Sequence, residues 1–193
     1  MQNIDKTKSY WQDNSIYFLT GSTFLHYPYF KTSEQKQIVL EQIKKVKNKL
    51  KIPIIAFSIA INHYHLKFYL EKGLDLAKVK QLMHGGTTFE YKKEYKMKHE
   101  DMWQSKKTLL VTSDEMDWKT TGYIIGNLLK HKEASTFEEL KNNLFSSYKF
   151  TVEKYGDECA QELVRKVINI DEDNKAGVNF EGLEKLNIIR PKI

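Results

Sequence analysis

One cysteine, Cys159, stands in 193 residues. A lone thiol excludes an intramolecular disulfide framework and a cysteine-based zinc cluster, and it fits a reducing compartment. Long apolar runs are also missing. No stretch approaches the roughly 20 residues that a membrane helix needs, and the opening MQNIDKTKSYWQDNS has no apolar signal core. A soluble, cytoplasmic protein with no membrane partner is expected. Repeats and low-complexity linkers are absent too, which excludes solenoids and tethered arrays.

What is present points to a folded domain. Apolar residues make up 40% and aromatics 12% of the chain, enough branched and aromatic surface to offset chain entropy on burial. The length suits one compact domain with a short appendage. There are 31 Lys and Arg against 25 Asp and Glu, a net charge of +6 with a pI near 9.1. Such an excess attracts polyanions, so nucleic acid is the first partner to consider.

Along the chain, Ile16 to Thr20 is rich in aromatic and branched residues and stops at Gly21-Ser22, as a strand does. Thr32 and Gln35 can form a capping box, and Val39, Ile43, Val46 and Leu50 follow at helical spacing, which predicts a helix over 33–50. After Pro53, Ile54 to Ile61 is an almost continuous apolar run, typical of a strand covered on both faces. Asn62 suits a tight turn. His63 to Leu70 then alternates, with His63, His65 and Lys67 on one face and Tyr64, Leu66, Phe68 and Leu70 on the other.

A second helix is expected over Asp75 to Met83, interrupted at Gly85-Gly86. Thr108 to Thr112 reads as a strand, and Ser113-Asp114 as the N-cap of a helix that reaches about residue 130. On that helix Trp118, Gly122, Ile125 and Leu129 form a stripe expected to pack on the sheet. The pattern β-α-β-β-α-β followed by helices predicts an α+β fold: a ferredoxin-like split βαβ antiparallel sheet with helices on one face and a C-terminal helical appendage. The boundary is placed at 155, with residues 156–193 helical or irregular and the segment 171–177 breaking the pattern.

Two histidines at i and i+2 on a strand point the same way and can hold one divalent ion, although a strand face can also carry two polar residues by chance. On the helix at 115–130, Tyr123 and Asn127 are i, i+4 neighbours, with Thr120 and Lys130 extending the same polar stripe. The chain has eleven tyrosines, so spacing alone does not single out Tyr123. The segment from Tyr91 to His99 interleaves Tyr91, Lys92, Lys93, Tyr95, Lys96 and Lys98, either a single-strand binding surface or simply a solvated lysine-rich face. Lys67, on the histidines' face, is a second candidate phosphate contact. His26, His84, His99 and His131 have no comparable partners and read as surface or boundary residues, although His131 follows Asn127 at i+4.

The segment NHYHLKFYL resembles the HUH motif (His, bulky hydrophobic, His) of single-strand tyrosine transposases. Downstream, Trp103-Gln104, then TGYIIGNLLKHKEA and NLFSSYK, resemble the WQ, YIxxNPxKxG and WxxSSY landmarks of REP-associated tyrosine transposases, in the same order and spacing. The likeness covers roughly residues 16–150. Departures are Ala60-Ile61 where Met-Pro is usual, Leu128 where proline follows the asparagine, and Lys67 in place of a common apolar residue.

The resemblance implies a metal-dependent single-stranded DNA endonuclease and strand transferase working through a 5′-phosphotyrosine. Tyr123 would be the nucleophile and His63, His65 and Asn127 the ligands of Mg²⁺ or Mn²⁺. It implies hairpin-bearing single-stranded DNA as partner, contacted by the lysines and tyrosines above and by Lys130, and a monomer or homodimer. Two alternatives stay open: a replication initiator or relaxase with the same chemistry, and a non-catalytic nucleic-acid-binding protein derived from a transposase.

Overall fold

In the computed structural model, which describes residues 11–168 and the backbone of 172–173 and 177–178, strand alternation decides the layering. Strands β1 (Ser15–Thr23), β2 (Ile54–Ile59), β3 (His63–Leu70) and β4 (Trp103–Val111) form one sheet in the order β2-β3-β1-β4. Every adjacent pair is antiparallel. β1 and β2 thus run the same way with β3 between them, and β3 and β4 with β1 between them, which is the split βαβ arrangement expected from the element order. β2 and β3 are the expected hairpin, turning at Asn62.

The first crossover is α1 (Ser33–Lys49). Its capping box forms as expected: Gln35 N–H donates to Thr32 Oγ1 at 3.3 Å and Thr32 N–H to Gln35 Oε1 at 3.1 Å. Ile38, Val39, Ile43 and Val46 are its buried apolar stripe. The second crossover is α2 (Leu76–Lys80), a π-helical segment Gln81–Gly86 and α3 (Thr87–Glu94). The expected break at Gly85-Gly86 does not occur, because the chain stays helical through both glycines. Gly86 serves instead as a point of close approach, since a Cβ there would lie 2.6 Å from Gln42 Oε1 of α1. Among the described residues no helix is long and apolar enough to cross a membrane.

These crossover elements cover the face of the sheet that carries Tyr64. Tyr64 Oη lies 2.7 Å from His84 Nε2, and the Trp103 indole packs on both rings and donates to the His84 carbonyl at 3.1 Å. His84 is therefore a core residue, not the surface or boundary histidine expected, because the π-helical segment turns it inward. Burial pushes its pKa down to about 3, with Lys106 and Lys80 adding repulsion. As a neutral ring, in the tautomer protonated at Nδ1, it can accept a hydrogen bond from the Tyr64 hydroxyl.

The opposite face is covered by α4 (Asp114–Lys130), followed by α5 (Phe137–Asn142), α6 (Tyr148–Tyr155) and α7 (Asp157–Val167). Ser113 caps α4, its Oγ accepting from Met116 N–H at 3.2 Å. From Trp118 to Leu128 every residue of α4 is buried, so the helix is covered on both sides. The stripe expected on the sheet faces the other way: a Cβ on Gly122 would meet Leu163 O at 2.6 Å, one on Gly126 would meet Val164, and Trp118 packs on Tyr155. The polar stripe takes the sheet. α7, beyond the boundary expected at 155, thus shares a core with α4. Past it the two-residue strands β5 (Glu172–Asp173) and β6 (Gly177–Val178) pair antiparallel. The rest of the appendage, including most of the break at 171–177, lies outside the described residues.

His84 makes stability depend on acid. Its folded pKa lies below the unfolded one, so the unfolded chain binds the extra proton and stability falls as pH drops from about 6.5 towards 3. Between pH 7 and pH 5 this single site should cost roughly 2 kcal/mol. His84→Gln keeps an acceptor for Tyr64, and urea unfolding at the two pH values should show a shallower loss by that amount. The same assay tests the α4–α7 contact. Gly122→Ala should destabilise by about 1–3 kcal/mol through overpacking, whereas Gly85→Ala, which meets nothing within 4 Å, should not destabilise.

Candidate functional site

The polar face of β3 meets the polar stripe of α4 in three successive contacts. At one end Lys67 Nζ donates to Thr120 Oγ1 at 2.9 Å and Thr121 Oγ1 at 2.8 Å. In the middle the His65 and Tyr123 rings meet edge to face, their centroids 5.2 Å apart. At the far end His63 Nε2 is 3.1 Å from Asn127 Oδ1. The spacing has a simple cause. Same-face residues on a strand recur every two positions, about 6.7 Å, and same-face residues on a helix every three or four, about 4.5–6 Å. Three pairs therefore stay in reach when a helix runs antiparallel to a strand.

The histidine rings are held from behind. Their centroids are 5.0 Å apart. His65 Nδ1 is 2.9 Å from Thr20 Oγ1 across the β1–β3 ladder, where Thr20 and His65 are register partners. His63 Nδ1 is 2.7 Å from Asn62 Oδ1. Asn62 is itself tied down: its carbonyl accepts from Thr23 Oγ1 at 2.8 Å and its amide donates to the His26 carbonyl at 3.3 Å. Glu133 braces the same turn, accepting from Ile61 N–H at 2.9 Å while ion-paired with Lys36 of α1.

Among the described residues no group of three or more His, Cys, Asp and Glu could hold a metal ion. Two imidazoles and an amide form a smaller donor set, and its details fit a divalent cation. With Nδ1 of both rings engaged by Thr20 and Asn62, Nε2 is the nitrogen each would give a metal, the usual outer-shell arrangement. Two imidazole nitrogens and one amide oxygen suit Mn²⁺ or Mg²⁺, the former better on softness.

Tyr123 is 3% exposed and packs against Phe18 and His65, with Lys130 Nζ 5.3 Å from its ring centroid. Tyrosine and histidines of one chain thus come together without a second copy. His131, the C-cap of α4, meets His63 edge to face with centroids 4.7 Å apart, so it lies at the site as its spacing from Asn127 suggested.

The expected DNA contacts divide. Lys67 is fully buried and cannot reach a phosphate, because one turn of α4 occupies its ammonium, including an ion pair to Asp117 Oδ1 at 2.7 Å. Burial lowers its pKa to about 8, the Asp117 carboxylate opposing that shift. Tyr91 is also a core residue, 4% exposed, packed on Tyr29 and Phe30, with Tyr95 against its other side. The Tyr91 ring offers no free platform for a base, and Tyr95 is half-buried with its ring turned against Tyr91. Lys92, Lys93, Lys96 and Lys98 are exposed, Lys93 being paired with Glu90. They belong to the crossover on the face away from the histidines.

Residues that sequence reasoning missed are Thr20, Asn62 as a ring holder, and Lys107. Lys107 is the register partner of Thr20 on β4, which puts it on the histidine face, half-buried at the edge. Strand register reveals Thr20 and Lys107, and the side-chain geometry of the turn reveals Asn62. The landmarks have structural roles as well. Gln104 Oε1 accepts from Leu25 N–H at 2.8 Å, holding a corner where Leu25 and His26 adopt left-handed backbone. Ser147 Oγ pairs with the Phe57 backbone, and Ser146 Oγ donates to the Ile125 carbonyl at 3.2 Å.

A split βαβ sheet with a His-x-His strand facing a tyrosine-bearing helix has the fold of the tyrosine transposases. The chain superposes with a TM-score of 0.63 on the structure of a REP-associated tyrosine transposase bound to a REP hairpin, at 18% identity, covering 80% of this chain and 87% of that one. In sequence, the family described as Transposase IS200 like matches residues 23–127, more than half of the chain. The protein belongs to the IS200-like transposase family. No sequence match is found among curated proteins.

Proposed function

We propose that the protein cleaves and rejoins single-stranded DNA through a covalent bond to Tyr123. The observation that carries this reading is the meeting of Tyr123 with His65, and of Asn127 with His63, on one face of the sheet. In cleavage, Tyr123 Oη bonds the scissile phosphorus and the bond from phosphorus to the 3′ oxygen breaks. The phenol proton passes to solvent and the departing oxygen takes one up. The products are a 5′-phosphotyrosine and a free 3′-hydroxyl, and attack by a second 3′-hydroxyl reverses the step without ATP.

A phenol with an ordinary pKa near 10 is a weak nucleophile at neutral pH, so alignment and charge must assist it. Packing between Phe18 and His65 restricts the ring. Lys130 and Lys107 place positive charge near the phosphate's path. His63, His65 and Asn127 would hold Mg²⁺ or Mn²⁺, which polarises a phosphate oxygen when bound. The structural neighbour was solved with a REP hairpin, which supports a hairpin flanked by single strand as partner. The exposed lysines at 92, 93, 96 and 98 would contact its backbone outside the reacting nucleotide.

The test uses a labelled pool of hairpin oligonucleotides with randomised single-stranded flanks, with Mn²⁺, and reads covalent adducts on a denaturing gel. Wild type should give an adduct that EDTA prevents. Tyr123→Phe should abolish both adduct and cleavage with little change in stability, and Tyr155→Phe should leave both. His65→Ala should stop cleavage while DNA binding persists. Cleavage retained by Tyr123→Phe would point to a water nucleophile and overturn the reading, and DNA binding without any adduct would favour a non-catalytic derivative.

A further inference from the structure

Lys67 is 0% exposed, and every polar partner of its ammonium comes from one turn of α4. These are the Asp117 carbonyl and carboxylate and the Thr120 and Thr121 hydroxyls, enough acceptors for all three protons. The hydroxyls are themselves oriented: Thr120 donates to the Met116 carbonyl at 2.7 Å and Thr121 to the Asp117 carbonyl at 2.8 Å. Their lone pairs then face the lysine. Tyr123 lies three residues beyond Thr120, on the same face of the helix.

We propose that Lys67 is the positioning residue of the tyrosine helix: its ammonium sets the rotation and axial register of α4 that place Tyr123 over His65. The inference rests on Tyr123 being the nucleophile. An apolar side chain at this position would bury equally well against several rotations of α4, because hydrophobic contact is not directional. An ammonium that needs three oxygens at hydrogen-bond distance accepts one. A slip of one residue turns the helix by about 100° and moves it about 1.5 Å, which would carry Tyr123 off the histidines. Stability does not account for the lysine, since a buried ion pair is often matched or bettered by an apolar residue of similar volume. Specification of register does.

The test compares wild type and Lys67→Met, a side chain of similar length without charge, in the full chain labelled with 3-fluorotyrosine. The ¹⁹F line of residue 123 is assigned by its loss in Tyr123→Phe. Lys67→Met should still unfold cooperatively and bind the hairpin pool with unchanged affinity. Its adduct rate at saturating DNA should fall about a hundredfold, and its residue-123 line should broaden or move towards that of free fluorotyrosine. An unchanged line and rate in folded Lys67→Met would overturn the proposal. So would a rate loss matching only the unfolded fraction. If Lys67→Met does not fold, Thr121→Val removes one acceptor, and the same two changes are expected at smaller amplitude; their absence overturns the proposal equally. Should wild type form no adduct at all, the nucleophile assignment fails on its own, and the ¹⁹F line still reports whether Lys67 places the ring.

Discussion

The architecture turns on the line of three contacts between β3 and α4: Lys67 with Thr120 and Thr121, His65 with Tyr123, His63 with Asn127. A helix normally offers a sheet its apolar stripe. Here α4 offers its polar one, which is tolerable because the Lys67 ammonium, the threonine hydroxyls and the Asn127 side-chain carbonyl oxygen find partners across the contact and because α7 covers the opposite side. The close approach of α7 at Gly122 and Gly126 is thus a condition for the site, not an ornament on it. Without it the buried apolar side of α4 would compete for the sheet.

The remaining structure braces these contacts from behind. Thr20 and Asn62 hold the outer nitrogens of the imidazoles, and Glu133 and Lys36 tie the turn before His63 to α1. On the other face, His84, Tyr64 and Trp103 interlock through hydrogen bonds and ring contacts. Trp103 and Gln104 are adjacent in sequence but work on different problems, one filling that core and the other pinning the corner at Leu25. Some of the family landmarks therefore act as structural braces, besides the chemistry proposed for Tyr123 and Asn127.

Strand and helix periodicity were legible in the chain: three strands, the capped α1 and the capped α4 follow from residue pattern, whereas β4 was read only from Thr108 and begins at Trp103, its first half being too polar to show as a strand. The shared face of His63, His65 and Lys67 was legible too, because a period of two needs no knowledge of neighbours. What such a pattern cannot supply is which neighbour covers a face. Lys67 reads as a phosphate contact until α4 is seen lying on it. Tyr91 reads as a stacking platform until Tyr29 and Phe30 close over it. The stripe on α4 was assigned to the wrong partner for the same reason, since a helix buried from Trp118 to Leu128 on both sides has no solvent-exposed face to orient it. Thr20 became meaningful only through its register with His65.

The two edges of the sheet are finished differently. β2 is capped by the 143–147 segment, where Ile59 N–H donates to the Phe145 carbonyl and Ser147 N–H to the Phe57 carbonyl, both at 2.9 Å. Its unpaired backbone is thereby largely used up. β4 ends the sheet with no further strand beside it among the described residues, and its middle carries Lys106 and Lys107. Two like charges at an open edge repel the same edge of another molecule, a common safeguard against strand-by-strand aggregation. Among the described residues one edge of the sheet is thus covered by a loop and the other carries charge, and only the repulsion that charge provides weakens as salt rises.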